Sequence, residues 1–306
     1  MGQALATGLA DRGWDVVGVD RAFDAEVGDA RVARIVADLA DGVPADVPTA
    51  DLVVHAAWTT TDPETLGVTA AEYNEANLRP LAATLHFCAR VTPTAFVFLS
   101  SSGVFAPDDA TGGLTDADVP TGSTPYAVAK REGEARVMAA AVPGATAFHI
   151  VRLGYLFGPG EVARPSRPGV SLVARWFAAA REGGPLEARS DDPEREWTFT
   201  PDLAPALERV VQAPPAGHPI HLGSPHVCRD RALAGLVADL FPGTEVGTVP
   251  AVGRVKPPMV PSDVAALRGF AWTDVPMGLR ALVAGGAHGP VPAAELTALG
   301  VGGETA

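Results

Sequence analysis

Short apolar runs alternating with helical stretches constrain this chain more than any other feature. Asp15-Val16-Val17-Gly18-Val19-Asp20, Ala33 to Asp38, Asp51 to Ala57, Ala95 to Leu99 and Ala147 to Arg152 each place β-branched or aromatic residues in an unbroken row. Rows without polar alternation read as parallel strands buried on both faces. Between them, Leu5 and Leu9 recur at helical spacing before Gly13, a fitting C-terminal cap. Ala70 to Val91 sets Leu78, Leu81, Leu85 and Cys88 on one helical stripe. Further helices are expected over 126–141 and 202–212, with Pro219 to Gly223 as a returning strand and mostly helices and loops over 226–306. This rhythm predicts an α/β fold on a parallel sheet.

Composition removes several classes of function. At 306 residues with 47% hydrophobic and 19% charged, the chain reads as an ordinary globular protein. A net charge of −13 without a compensating Lys/Arg cluster argues against nucleic acid as a partner. Cys88 and Cys228 cannot form a disulfide framework, which suits a reducing cytoplasm. No basic segment followed by an apolar run opens the sequence, and no stretch approaches about 18 apolar residues, so neither an export signal nor a membrane span is expected.

Open parallel sheets bind ligands at the carboxyl ends of their strands, which is where the chemistry-bearing residues cluster. Small Ala56 and Ala57 would let a ligand approach the backbone, and Ser100-Ser101-Ser102-Gly103 follows the most apolar run. A helix, Gly13 and a strand closing on Asp20 describe the second half of a βαβ dinucleotide-binding unit. The Asp20 carboxylate would accept ribose hydroxyls and favour NAD, while the neighbouring Arg21 could accept the extra phosphate of NADP. Tyr126 and Lys130, four apart at the start of a helix, share one face. A Tyr titrates near 10, and one ammonium roughly 5 Å away at an effective dielectric of about 20 favours its anion by about 3 kcal/mol. A coincidental pair on a solvated helix is the competing reading.

Three patterns carry no site. His218, His221, His226 and Cys228 do not converge, because a spacing of three on a strand sends side chains to opposite faces; no metal is expected. Gly158-Pro159-Gly160 lacks the Lys-Ser/Thr of a phosphate loop, and Ser190-Asp191-Asp192-Pro193-Glu194 lacks calcium-loop spacing.

Taken together, Val17 to Arg21, Val54-His55-Ala56-Ala57, Asn77, Phe98 to Phe105, Tyr126 to Lys130, Val151-Arg152, Phe157 to Gly160 and Arg195 to Leu203 resemble the extended short-chain dehydrogenases/reductases. The tail, from Ser262-Asp263 through Leu267-Arg268-Gly269-Phe270 to Met277-Gly278-Leu279-Arg280, continues the likeness, in the NAD-dependent epimerase/dehydratase branch. The resemblance implies a Rossmann-like, doubly wound parallel sheet with a smaller carboxyl-terminal substrate region. Residues 1–157 and about 201–224 would form the dinucleotide-binding domain, and about 158–200 with 225–306 the substrate region.

It also implies a proton relay. Tyr126 would shuttle the proton of a substrate hydroxyl or carbonyl, Lys130 would lower the Tyr pKa and hold the nicotinamide ribose, Ser101 would hydrogen-bond the reacting oxygen, and Asn77 would order the relay. Gly2, Asp20, Arg21, Asp38, Leu39, Ala56, Ala57, Lys130 and Leu153 would bind NAD, with NADP as the alternative. Ser102, Thr124, Tyr155 and Arg195 would bind a carbohydrate substrate; for Arg195 an ion pair with Asp202 or a neighbouring Glu competes. A homodimer through the helices of Asn77 and Tyr126 is implied.

Three departures shape the expectation. Of the family's amino-terminal T-G-x-x-G-x-x-G only Gly2 is present, which suggests a start upstream and would leave an apolar trench where the first strand belongs. Ser102-Gly103 stands where family dehydratases carry Asp-Glu, so dehydration is not expected. Tyr155 replaces the Asn common in nucleotide-sugar epimerases, which brings in a sugar-acid or polyol dehydrogenase as an alternative. A non-catalytic dinucleotide-binding regulatory module is the alternative of another class.

Overall fold

A computed structural model describes residues 1–23, 28–141, 146–163 and 169–285. The first helix, α1 (Gly2–Asp11), buries Leu5 and Leu9, and Gly13 follows it at φ +86° with its N–H on the Ala10 carbonyl. Glycine takes that left-handed conformation without a Cβ penalty, as the cap expectation required. Strands β1 (Val17–Asp20) and β2 (Ala33–Val36) pair in parallel. After β3 (Leu52–His55) and the single turn α2 (Pro63–Leu66) comes α3 (Ala70–Val91). A capping box starts α3: the Thr69 hydroxyl accepts from the Glu72 N–H while the Glu72 carboxylate accepts from the Thr69 N–H.

The central strand β4 (Ala95–Ser101) leads to α4 (Pro125–Ala140) and β5 (Ala147–Leu153). Beyond them run β6 (Tyr155–Phe157), α5 (Leu172–Arg181), β7 (Leu186–Arg189), β8 (Glu194–Phe199), α6 (Leu203–Val211), β9 (Ile220–His221), β10 (Val227–Arg229), α7 (Asp230–Ala238), β11 (Val246–Val249) and α8 (Val275–Ala284). The parallel order β3-β4-β5-β9 makes the main sheet. Two smaller sheets, β10-β8-β6 and β11-β7, build the region around α5, α7 and α8. Strands β10 and β11 fall in a stretch expected to hold mostly helices and loops. Each is short and is fixed by pairing with a strand distant in sequence, a signal that periodicity does not carry.

Burial explains the unbroken apolar row of β4. Side chains alternate across a strand, so Val97 and Leu99 join Leu5, Leu9, Val151 and Leu207 on one face, while Phe96 and Phe98 join Leu78, Leu81 and Val137 on the other. A third cluster, around Phe157, Trp176, Trp197, Phe199 and Leu279, fills the carboxyl-terminal region.

Pairing is interrupted between the amino-terminal strands and the main sheet. Among the described residues β1 pairs with β2 and β3 with β4, and no strand joins β1 to β3. Val16, Leu52 and Val54 line the resulting apolar seam against the Leu5–Leu9 cluster.

Candidate active site

The site is built at the carboxyl end of β4. The strand extends through Ser100 and Ser101, two residues beyond the apolar row, before a 3-10 turn over Ser102–Val104. Ser101 Oγ accepts the Gly103 N–H at 3.0 Å. Opposite it, α4 starts with Pro125 at its first position and Thr124 as N-cap, the Thr124 hydroxyl accepting from the Ala127 N–H at 3.2 Å. This start delivers the Tyr126 ring onto Gly103. A Cβ added to Gly103 would lie 2.9 Å from Tyr126 Cε1 and 3.3 Å from Ser101 Oγ. Ser101 and Tyr126 therefore bracket a residue that has no room for a side chain. Gly103→Ala should displace Tyr126 and lower turnover by about 10²-fold with the fold retained. Steady-state rates beside circular dichroism check this, and unchanged turnover would contradict the packing.

One helical turn on, Lys130 points inward. Its residue is 4% exposed and its Nζ donates to the Leu99 carbonyl at 2.7 Å. The ammonium lies 3.9 Å from the ring centre of Trp58 and 4.9 Å from that of Phe98. Burial pushes the Lys130 pKa down to about 7, and the charge of Glu134 works in the opposite direction. Glu134 is itself buried: it accepts Ser100 Oγ at 2.6 Å and both Nε and Nη2 of Arg152, at 2.9 and 2.7 Å. His55, next to this group, is held neutral; burial first and the Lys130 charge second bring its pKa down to about 3.

Several expected residues occupy structural positions. Asn77 is 1% exposed; its amide oxygen accepts the Thr59 N–H at 2.7 Å and its amide nitrogen donates to the Tyr73 carbonyl. With Tyr73, whose hydroxyl donates to the Thr59 carbonyl at 2.5 Å, Asn77 fixes the loop after β3. Ser102 is buried, which leaves Ser101 as the serine beside Tyr126. Thr124 is engaged as the α4 cap.

On the cofactor side, Gly2 opens α1 close to Ala56, its added Cβ only 3.7 Å from the Ala56 Cβ. Met1 makes no side-chain cap there. Asp20 ends β1, exposed beside the equally exposed Arg21. Asp38 caps the turn that begins at Leu39, accepting the Ala40 N–H at 2.8 Å. Ala56 and Ala57 follow β3, and Leu153 ends β5 in register with Ser101.

Arg195 is paired, as its competing reading allowed, but with another residue. Its Nε and Nη2 meet the two oxygens of Asp230 at 2.7 and 3.1 Å, and its guanidinium lies 4.7 Å from the ring centre of Tyr155. The same ring has Lys256 Nζ at 4.9 Å from its centre, and Lys256 Nζ stands 3.5 Å from the buried Glu196 carboxylate. Sequence reasoning missed Trp58, Glu134, Glu196 and Lys256. One signal was available: among 23 basic residues only Lys130 and Lys256 are lysines, and both lie against aromatic rings, Lys130 buried and Lys256 largely so.

The parallel sheet with its strand-end cluster is an α/β fold of the Rossmann-like kind. A model of the NAD dependent epimerase/dehydratase family matches residues 1–223, and the chain belongs to that family. No curated protein sequence matches it. Solved structures share the fold at low identity. A UDP-glucose 4-epimerase from Thermotoga maritima is 15% identical, with a TM-score of 0.75 over 91% of this chain and 93% of that one. MoeE5, solved with UDP-glucuronic acid and NAD, is 24% identical, with a TM-score of 0.73 over 91% and 94%. TunA, an NAD-dependent NDP-hexosamine 5,6-dehydratase involved in tunicamycin biosynthesis, is 20% identical, with a TM-score of 0.75 over 90% of each chain.

Proposed function

We propose that the chain is an NAD-dependent epimerase or dehydrogenase acting on a carbinol or carbonyl carbon of a nucleotide sugar. The bracketing of Gly103 by Ser101 and Tyr126, with Lys130 one turn on, carries this reading. Tyr126 takes the proton of the reacting hydroxyl and returns it to the carbonyl; Ser101 hydrogen-bonds the same oxygen. Lys130, one turn on, favours the phenolate form of Tyr126 whenever its own amine is protonated. NAD, when bound, supplies the hydride acceptor at its nicotinamide. The residues fit it in part: Gly2 at the start of α1 suits its pyrophosphate, exposed Asp20 its adenosine ribose, and Lys130 its nicotinamide ribose.

Residues about 158–200 and 225–306 form the substrate region in this reading, and Arg195 and Lys256 meet on the ring of Tyr155 beside it. Dehydration stays disfavoured although a structural neighbour is a dehydratase, because buried Ser102 and Gly103 offer no carboxylate beside Tyr126. A homodimer through α3 and α4 accounts for Val128 and Met138, each 41% exposed on α4. Among the described residues no helix is long and apolar enough to cross a membrane, and Cys88 and Cys228 are free thiols, so we place the enzyme in the cytoplasm.

The deciding experiment incubates the chain with NAD and a panel of UDP- and other nucleoside-diphosphate sugars. Absorbance of reduced nicotinamide and proton NMR of the sugar are followed together. An epimerase interconverts sugars without accumulating NADH, whereas a dehydrogenase releases it in proportion to oxidised sugar. NAD binding without either change in any sugar would overturn the assignment.

A further inference from the structure

Trp58 follows β3 in the sequence His55-Ala56-Ala57-Trp58, and none of the sequence signals above involves it. The structure lays its ring against the Lys130 ammonium at 3.9 Å, the nearest aromatic face to that charge. Trp58 also packs edge-on against Phe98, with ring centres 5.6 Å apart, so both rings are fixed relative to each other. Gly133 makes this approach possible: a Cβ there would stand 2.8 Å from Phe98 Cζ and 3.3 Å from Trp58 Cη2. The Trp58 loop is itself anchored, because Thr59 is hydrogen-bonded through both its N–H and its carbonyl by Asn77 and Tyr73.

We propose that Trp58 is a positioning residue for Lys130: its ring face and the Leu99 carbonyl together fix the ammonium in the direction that serves Tyr126. The proposal rests on the reading that Lys130 works with Tyr126. An ammonium has three N–H donors, and Leu99 takes one. The ring quadrupole attracts the charged form and not the neutral amine, so Trp58 opposes the desolvation that favours the amine. Other charged or titratable groups acting on this ammonium are His55 from β3, which is neutral, and Glu134 on α4, whose charge is shared with Arg152 of β5; Tyr126 lies one helical turn before Lys130 on α4. Asn77 of α3 acts on the loop and carries no charge. Trp58 and Glu134 thus both favour the cation, from two different elements.

The presence of only two lysines makes this directly measurable. The full chain, labelled with ¹³C at the lysine ε-carbon, gives two signals, assigned by Lys256→Arg. In the unmodified chain the Lys130 ε-methylene protons should be displaced upfield by the Trp58 ring current. Titration gives the Lys130 midpoint. In Trp58→Leu, which fills space without a quadrupole, the midpoint should fall by about half to one pH unit. Trp58→Phe should restore most of that shift. An unchanged or higher midpoint in Trp58→Leu would overturn the proposal; so would normal ε-methylene shifts in the unmodified chain, which decide the matter if Trp58→Leu does not fold. None of these readouts needs turnover, so their failure is distinct from a failure of the Tyr126 assignment.

Discussion

The Tyr126→Phe variant is expected to lose turnover by about 10²–10⁴-fold, the range that general acid–base catalysis supplies, while its fold and its affinity for NAD stay unchanged. The ring that packs on Gly103 is retained in Phe, so the substitution removes the hydroxyl and nothing else from the bracket with Ser101. A dinucleotide-binding regulatory module has no use for that hydroxyl. Steady-state rates on a turned-over sugar, beside calorimetric titration with NAD, separate the alternatives. Unchanged turnover would remove Tyr126 from the chemistry, whereas NAD binding with no turnover in the unmodified chain would leave the regulatory reading standing.

The second large effect concerns stability. Glu134→Ala leaves the Arg152 guanidinium buried, without the two carboxylate oxygens it donates to, and Ser100 without its acceptor. Arg152 and Glu134 side chains are 5% and 8% exposed, so water does not replace what is lost. Breaking such a buried pair costs about 3–5 kcal/mol, whereas replacing both members by apolar residues of similar volume is often neutral. The single variant should therefore unfold at markedly lower urea concentration with an unchanged dependence on denaturant, and Glu134→Leu with Arg152→Met should recover most of the loss. A shift below about 1 kcal/mol in Glu134→Ala would mean that the pair is not closed as described.

Much of the fold was legible because its strands are buried on both faces. The unbroken row Ala95 to Leu99 announces a central strand, and the stripe of Leu78, Leu81, Leu85 and Cys88 announces α3, whose bounds match the expectation. The spacing of four set Tyr126 and Lys130 on one helix, which α4 bears out, whereas Ser101 was singled out by the family resemblance and lies at the end of β4. What escaped was set by contacts distant in sequence. Arg195 was expected to meet substrate or a nearby acid, yet its partner Asp230 lies 35 positions on, brought in when β10 pairs with β8. Ser102, expected to bind substrate, is buried by the 3-10 turn that follows β4. Trp58 and Glu134 have no motif of their own; they acquire meaning only once α4 lies across β4 and sets Lys130 between them.

Separation of the β1-β2 ribbon from the four-stranded sheet also bears on cooperativity. A two-stranded unit has little stability of its own, so the segment holding Asp20 and Asp38 depends on packing through the α1 cluster and can open at a lower free-energy cost than β4 or β5. Any ligand held at Asp20 on one side and Lys130 on the other would couple the ribbon to the four-stranded sheet. Part of its intrinsic affinity would go into ordering the ribbon, and its apparent affinity would then scale with the fraction of molecules in which the ribbon is already in place.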